Sequence, residues 1–291
     1  MIADYALLTA IILSLVLLQL NQRQGLPALT IINRWLRWFI FAFGAAAIVE
    51  DFGWSDRSYP VLVGAFFLVW FLFETIYNWL AIHALSVSSL PLFPRYSVNQ
   101  NGEEWPTSPR FLKLRDWLRG KGFKQVQALK AEVGPNLFLR VCVYQNASAG
   151  VRLQVTFLPQ GSGALAAYYS LSTNTVGGSR YVTDNLHLPF GGFYPENWLL
   201  SRHPWRRSLA GLVTLHENRL AVANEQIVPW TSEPLDDLNG QQRELEKINT
   251  ALGFLFPQAD REEFGKISHE GRYRVWKEYW LLSYFGKSVR Y

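Results

Sequence analysis

The residues best suited to bind a ligand lie along strand-like stretches in the middle of the chain. Arg140, Arg152, Gln154, Thr156, Tyr168, Thr183, Asn185 and His187 fall where apolar–polar alternation creates polar faces. Two guanidiniums beside hydroxyls and an imidazole suit a carboxylate or phosphate, because the guanidinium fork matches the oxygen spacing of those anions. Arg140, Arg152, Tyr168, Asn185 and His187 are therefore candidate ligand-binding residues, set against the plainer reading of a solvated sheet face. Asp184 lies three positions before His187, which in an ideal strand turns it to the opposite face and weakens an Asp–His dyad.

Other chemistries lack their residues. The chain has no glycine-rich phosphate loop of the common patterns and no Gly-x-Ser-x-Gly elbow. The five histidines, His83, His187, His203, His216 and His269, form no His-Glu-x-x-His pair. The single cysteine, Cys142, leaves neither a thiolate zinc site nor an internal disulfide. Neither a metal nor another cofactor is implied. His216, beside Glu217 in a helical pattern, reads as a core-edge residue, and Asn146-Ala147-Ser148 has the form of a glycosylation sequon in a tight turn.

Two further features stand out. Glu74 sits inside the most apolar stretch of the chain, with Asn78 one helical turn later on the same face. A carboxylate in mid-bilayer costs about 2.5–3.5 kcal/mol on insertion scales and therefore turns toward protein or water. Contact with a neighbouring helix is the expected role, and a proton or ion site is the alternative. The loop from Pro189 to Trp198 carries Phe193, Tyr194 and Trp198 and is followed by Arg206 and Arg207. Aromatic and arginine anchors have the composition of a protein interface, while packing over the domain's own core and a substrate lid compete with that reading.

Period-two patterning places strands at about 125–133, 137–145, 151–158, 164–172 and 180–188, with turn residues between them. Connections this short predict a five-stranded antiparallel meander with one buried face. One helix precedes it at about 109–120, with Ser108 and Pro109 at its start. Three follow at about 205–226, 237–255 and 268–285, the second capped by Asp236 or Asp237 and the third by Ser268. Strands followed by helices, without alternation, make an α+β domain.

Three apolar stretches come before this domain, at about 4–22, 36–54 and 59–85. The first holds no charge from Tyr5 to Gln22 and lacks the basic lead-in of a cleaved signal peptide, so it reads as an anchor. The second has only 12 residues between Arg37 and Glu50 and spans only if Arg37 snorkels. The predicted organisation is a transmembrane anchor over 1–94, a linker over 95–108 and a soluble α+β domain over 109–291.

Charge then orients the chain. Residues 1–94 hold four basic and five acidic side chains, and the remainder holds 24 basic and 18 acidic ones. Arg23, Arg34 and Arg37 fall around the first connection, whereas the second carries Glu50, Asp51 and Asp56 against Arg57. Lys and Arg gather on the cytoplasmic side, which puts the N-terminus outside and the C-terminal domain in the cytoplasm. Arg110, Lys113, Arg115, Arg119, Lys121 and Lys124 cluster just after the last apolar stretch. They suit anionic lipid headgroups, or a solvated helix face. The basic excess is otherwise dispersed, without the dense basic stripe of a nucleic-acid binder. The expectation is a non-enzymatic accessory or scaffold subunit of a membrane complex, partnered by the bilayer and by other membrane-protein subunits. The alternative is a membrane-bound enzyme or ligand sensor that takes an anionic substrate on the polar sheet face.

Overall fold

A computed structural model describes residues 2–100, 105–159 and 165–289. It opens with three helices, α1 (Ile2–Gln24), α2 (Pro27–Asp51) and α3 (Tyr59–Val87), each long and apolar enough to cross a membrane. Helix α2 begins nine residues earlier than the charge pattern suggested. Gly25, at φ 59°, makes the turn after α1, and Pro27 then supplies a preset φ for the first turn of α2. The 25 residues of α2 reach about 37 Å, so the second helix is long enough to cross a ~30 Å hydrocarbon core. Arg34 and Arg37 consequently lie within the helix and not in a loop.

Polar side chains join α1 to α2: Ser14 donates to Asn33 at 2.7 Å, and Asn21 donates to Thr30 at 2.9 Å. Helices α2 and α3 meet along a stripe of Trp38, Ala42 and Ala46, all buried and spaced by four. Trp38 stacks on Phe67 at 4.4 Å, and the two alanines let the backbones come close.

The remaining chain forms one sheet. Strands β1 (Arg95–Val98), β2 (Lys124–Gly134), β3 (Leu137–Gln145), β4 (Arg152–Pro159), β5 (Leu165–Thr175), β6 (Arg180–Asp184) and β7 (Trp198–Arg202) are neighbours in that order. A two-residue strand, β8 (Ile227–Val228), pairs with the end of β5. Strands β2 to β6 are the expected meander, antiparallel throughout. Three strands lie beyond it. Strand β1 falls inside the expected linker and pairs with β2. Strand β7 runs parallel to β6 from within the expected aromatic loop. The 13 residues between β6 and β7 are long enough for the crossover that parallel neighbours require.

The sheet is also covered on both faces, where alternation suggested one. Helices α4 (Pro109–Gly120) and α5 (Leu209–Ala223) cover one side, burying Phe111, Leu118, Leu209 and Leu212 against Leu153, Val155 and Leu171. Helix α6 (Pro234–Ala251) covers the other, where Leu238 meets Leu129, Val141 and Val143. Pro234 starts α6 ahead of the expected cap, so Asp237 stands in its first turn and is free to pair elsewhere. The chain ends with a single helical turn, α7 (Arg261–Phe264), then α8 (His269–Trp280) and a π-helical turn over Leu281–Phe285. Ser268 caps α8 as expected, accepting from Gly271 N at 3.0 Å, whereas Ser108 stands before α4 without a side-chain capping bond.

Helix α3 does not end where the globular core begins. Its Ile82 is buried with Phe254, Leu255, Ile267 and Val275. Ser86 accepts from Ile267 N at 2.9 Å.

Candidate functional site

Where α8 meets α2 and α3, polar groups converge on Glu74. Arg34 of α2 places Nη1 3.0 Å from Glu74 Oε1, and the same nitrogen donates to the Tyr279 hydroxyl. The other carboxylate oxygen accepts from Trp70 Nε1 at 3.0 Å and from the Tyr284 hydroxyl. The Arg34 guanidinium also lies over the rings of Tyr279 and Tyr284, at 5.1 and 5.4 Å from their centroids. One carboxylate therefore takes three charge-assisted or hydroxyl donors from three elements, which offsets its desolvation.

An aromatic layer surrounds this cluster. Trp280 stacks on Tyr284 at 4.5 Å and tilts against Phe71 at 5.1 Å, and Trp35 Nε1 donates to Tyr284 O at 2.9 Å. On the side of the first turn, Arg207 donates to Gly25 O. The C-terminal helix thus holds the domain against α2 and α3, and the loop before α5 holds it to the turn between α1 and α2.

Beside Glu74 a cavity of about 520 Å³ lies between α1, α2 and α3. Arg34, Arg37, Asn21 and Thr30 line its polar part, and Leu18 and Phe73 its apolar part. Asn78, buried one turn beyond Glu74, leaves its amide nitrogen without a partner among the described residues.

The residues of the polar sheet face are distributed among several sites. Arg152 is 2% exposed and donates to Asp237 at 2.9 Å and to Ser232 O at 2.6 Å. Arg180 reaches the same carboxylate at 3.0 Å, and both guanidiniums lie over Trp230. Arg140 is exposed on β3, outside this group. Tyr168 is buried beneath Arg207, 5.6 Å from its ring. Asn185 bridges Tyr169 N at 2.8 Å and Arg206 O at 2.9 Å. His187 is half-buried, and burial together with the nearby charges of Arg207, Arg34 and Arg202 lowers its pKa to about 4. Arg152 and Arg180 are brought together by Asp237 of α6, a helix legible in its own stretch of sequence although its docking on this face is not.

The aromatic loop packs onto its own domain. Asn249 of α6 accepts from Phe193 N at 2.7 Å and donates to Phe193 O at 2.9 Å, and Arg274 of α8 covers the Phe193 ring at 3.8 Å. Tyr194 accepts from Arg202 at 3.2 Å, and Trp198 opens β7 beneath Arg180. Arg202 is held in turn by Asp184 at 2.9 Å, and the carboxylates of Asp184 and Glu278 raise its pKa despite burial. Arg206 is exposed at the end of this segment. In the basic group, Arg110, Lys113, Arg119, Lys121 and Lys124 are exposed, and Arg115 is half-buried.

Sequence reasoning singled out Glu74 and missed its partners. Charge pattern alone puts Arg34 at the first connection, and Tyr279 and Tyr284 lie more than 200 residues away from Glu74. The one available signal was the unpaired acid itself, which calls for a cation at the same depth.

Among known proteins, no family model, curated protein or solved structure matches this chain.

Proposed function

We propose that this protein is a membrane-embedded scaffold or accessory subunit that holds its α+β domain in a fixed attitude to the bilayer for other subunits to engage. The observation that supports this most directly is the Arg34–Glu74–Tyr284 junction. A domain that needed only to stay near a membrane would be served by one anchor and a loose linker. Here α8 docks along α2 and α3 instead, and the end of α3 lies in the domain core. Apolar surface on α1 supports the same reading: Leu8, Ile12, Leu15 and Val16 are exposed on a helix that α2 covers on one side only. Such a surface is suited to lipid or to a further membrane subunit.

In this proposal the domain lies in the cytoplasm. The contact between Arg207 and Gly25 puts the first turn and the domain at one end of the helices, with Glu50, Asp51 and Asp56 at the other. Basic residues at the domain end and acidic ones opposite follow the positive-inside bias. A reporter fused after Tyr291 should be active only in the cytoplasm; activity only outside would overturn this orientation. Purification in mild detergent should recover a stoichiometric membrane-protein partner, and Arg34→Ala should weaken its retention. A chain that remains alone and monomeric at every detergent concentration would count against the scaffold role.

A further inference from the structure

We infer that the cavity between α1, α2 and α3 is a binding site for one phospholipid with an anionic headgroup. This rests on the helices being membrane-embedded, but not on the scaffold role. The volume of about 520 Å³ lies within the ~300–1,000 Å³ of sites that enclose small ligands.

Its polar end is built to receive a phosphate. Arg34 and Arg37, three positions apart on α2, both line it. Arg34 gives one terminal nitrogen to Glu74 and Tyr279, which leaves the rest of its fork unbonded among the described residues. Arg37 has no polar partner among them, so two guanidiniums face a single carboxylate. Asn21 also lines this end, its amide already given to Thr30. A headgroup phosphate placed here accepts from both guanidiniums at once.

Depth and surroundings select a lipid over a free anion. Counting from Asp51 at the far end of α2, Arg37 lies about 21 Å along the helix and Arg34 about 26 Å. In a hydrocarbon core of ~30 Å this brings both within snorkelling reach of the headgroups on the domain side. The rim consists of Leu18, Phe73 and Tyr77, which are 45%, 59% and 69% exposed on apolar helices. Acyl chains can lie along that rim while the phosphate reaches the arginines. Basic pockets between membrane helices on the cytoplasmic side are a recurrent way of holding acidic lipids.

The test uses the full chain, reconstituted in vesicles of phosphatidylglycerol and phosphatidylcholine with matched acyl chains. Co-flotation with the vesicles establishes embedding, and native mass spectrometry after detergent extraction reads the retained lipid. The wild type should retain phosphatidylglycerol in preference to phosphatidylcholine. Arg37→Ala should reduce that preference about fivefold, the effect of roughly one basic residue at an anionic surface. Arg37→Gln keeps a polar chain without the charge and should behave alike, which covers a failure of the alanine variant to insert. Lys247→Ala, exposed on α6 of the domain and far along the chain from the cavity, should leave retention unchanged. Equal retention of the two lipids, or an unchanged preference in both Arg37 variants, would overturn the proposal. So would displacement of the lipid by millimolar inorganic phosphate, which would mark a site for a free anion. Failure to co-float would overturn the membrane embedding itself.

Discussion

Arg34 and Glu74, forty positions apart, meet at 3.0 Å between two apolar helices, and Tyr284 from the far end of the chain donates to the same carboxylate. This pair helps fix how the C-terminal helix sits on α2 and α3. Glu74→Leu strands Arg34 and removes the acceptor for Tyr284 and Trp70. Breaking one side of a largely buried pair costs about 3–5 kcal/mol, and the low end applies because Arg34 is a quarter exposed. Glu74→Gln keeps an acceptor oxygen and should cost less than half as much. Melting of the purified chain in detergent would show this order. Equal losses in the two variants would mean that the hydrogen bonds contribute little.

Asp237 anchors the opposite face of the sheet. It takes Arg152 at 2.9 Å and Arg180 at 3.0 Å, with side chains that are nearly or fully buried. Asp237→Ala leaves two buried guanidiniums uncompensated and should lower the melting temperature by on the order of 10 °C. Arg152→Met should be milder, because Asp237 then keeps Arg180 and the new side chain fills similar space. If Arg152→Met proves the worse variant, packing over Trp230 outweighs the ion pairs.

His216 gives the fold an acid-sensitive element. It is fully buried, with its two ring nitrogens 3.0 Å from Thr173 and 2.9 Å from Thr183, so it lies in the core and not at its edge. Burial, with a smaller contribution from Arg219, lowers its pKa to about 3. In the unfolded chain the imidazole binds its proton near pH 6.5. Its stabilising contribution is therefore complete above pH 6.5 and is lost as pH falls toward 3, at up to ~1.4 kcal/mol per pH unit. His216→Asn should be less stable at pH 8 and show a flatter decline between pH 6.5 and 4. A parallel decline in both proteins would assign the acid sensitivity to other groups.

Gly191 controls how the aromatic loop docks. Its φ is 71°, and a Cβ there would stand 2.6 Å from the backbone nitrogen of Val275. Its own N–H donates to Glu278 at 2.6 Å. Gly191→Ala should cost 1–3 kcal/mol, roughly the range for strain at a special backbone position, and should free Phe193 from Asn249 and Arg274. Protease cleavage within 189–198 would report the release. Wild-type resistance in the variant would show that the loop reaches its seat by another path.

Local chemistry alone settled the parts of this protein that depend on local pattern. The long uncharged run Tyr5–Gln22 marked an apolar helix, and alternation along 137–145 and 151–158 marked strands, as the structure has them. Ser268 marks a helix start because its hydroxyl reaches Gly271 N within one turn. Pairings across the chain were not legible. Nothing near Arg152 says that its acid stands 85 positions later, and nothing near Glu74 points to Tyr284. A period reports which side of an element is buried, but not what buries it. The second covered face of the sheet, the parallel β7 and the junction at Glu74 all arise from contacts between elements far apart in the chain. The partner of a buried charge is chosen by those contacts, because only a cation at the right depth and angle offsets its desolvation.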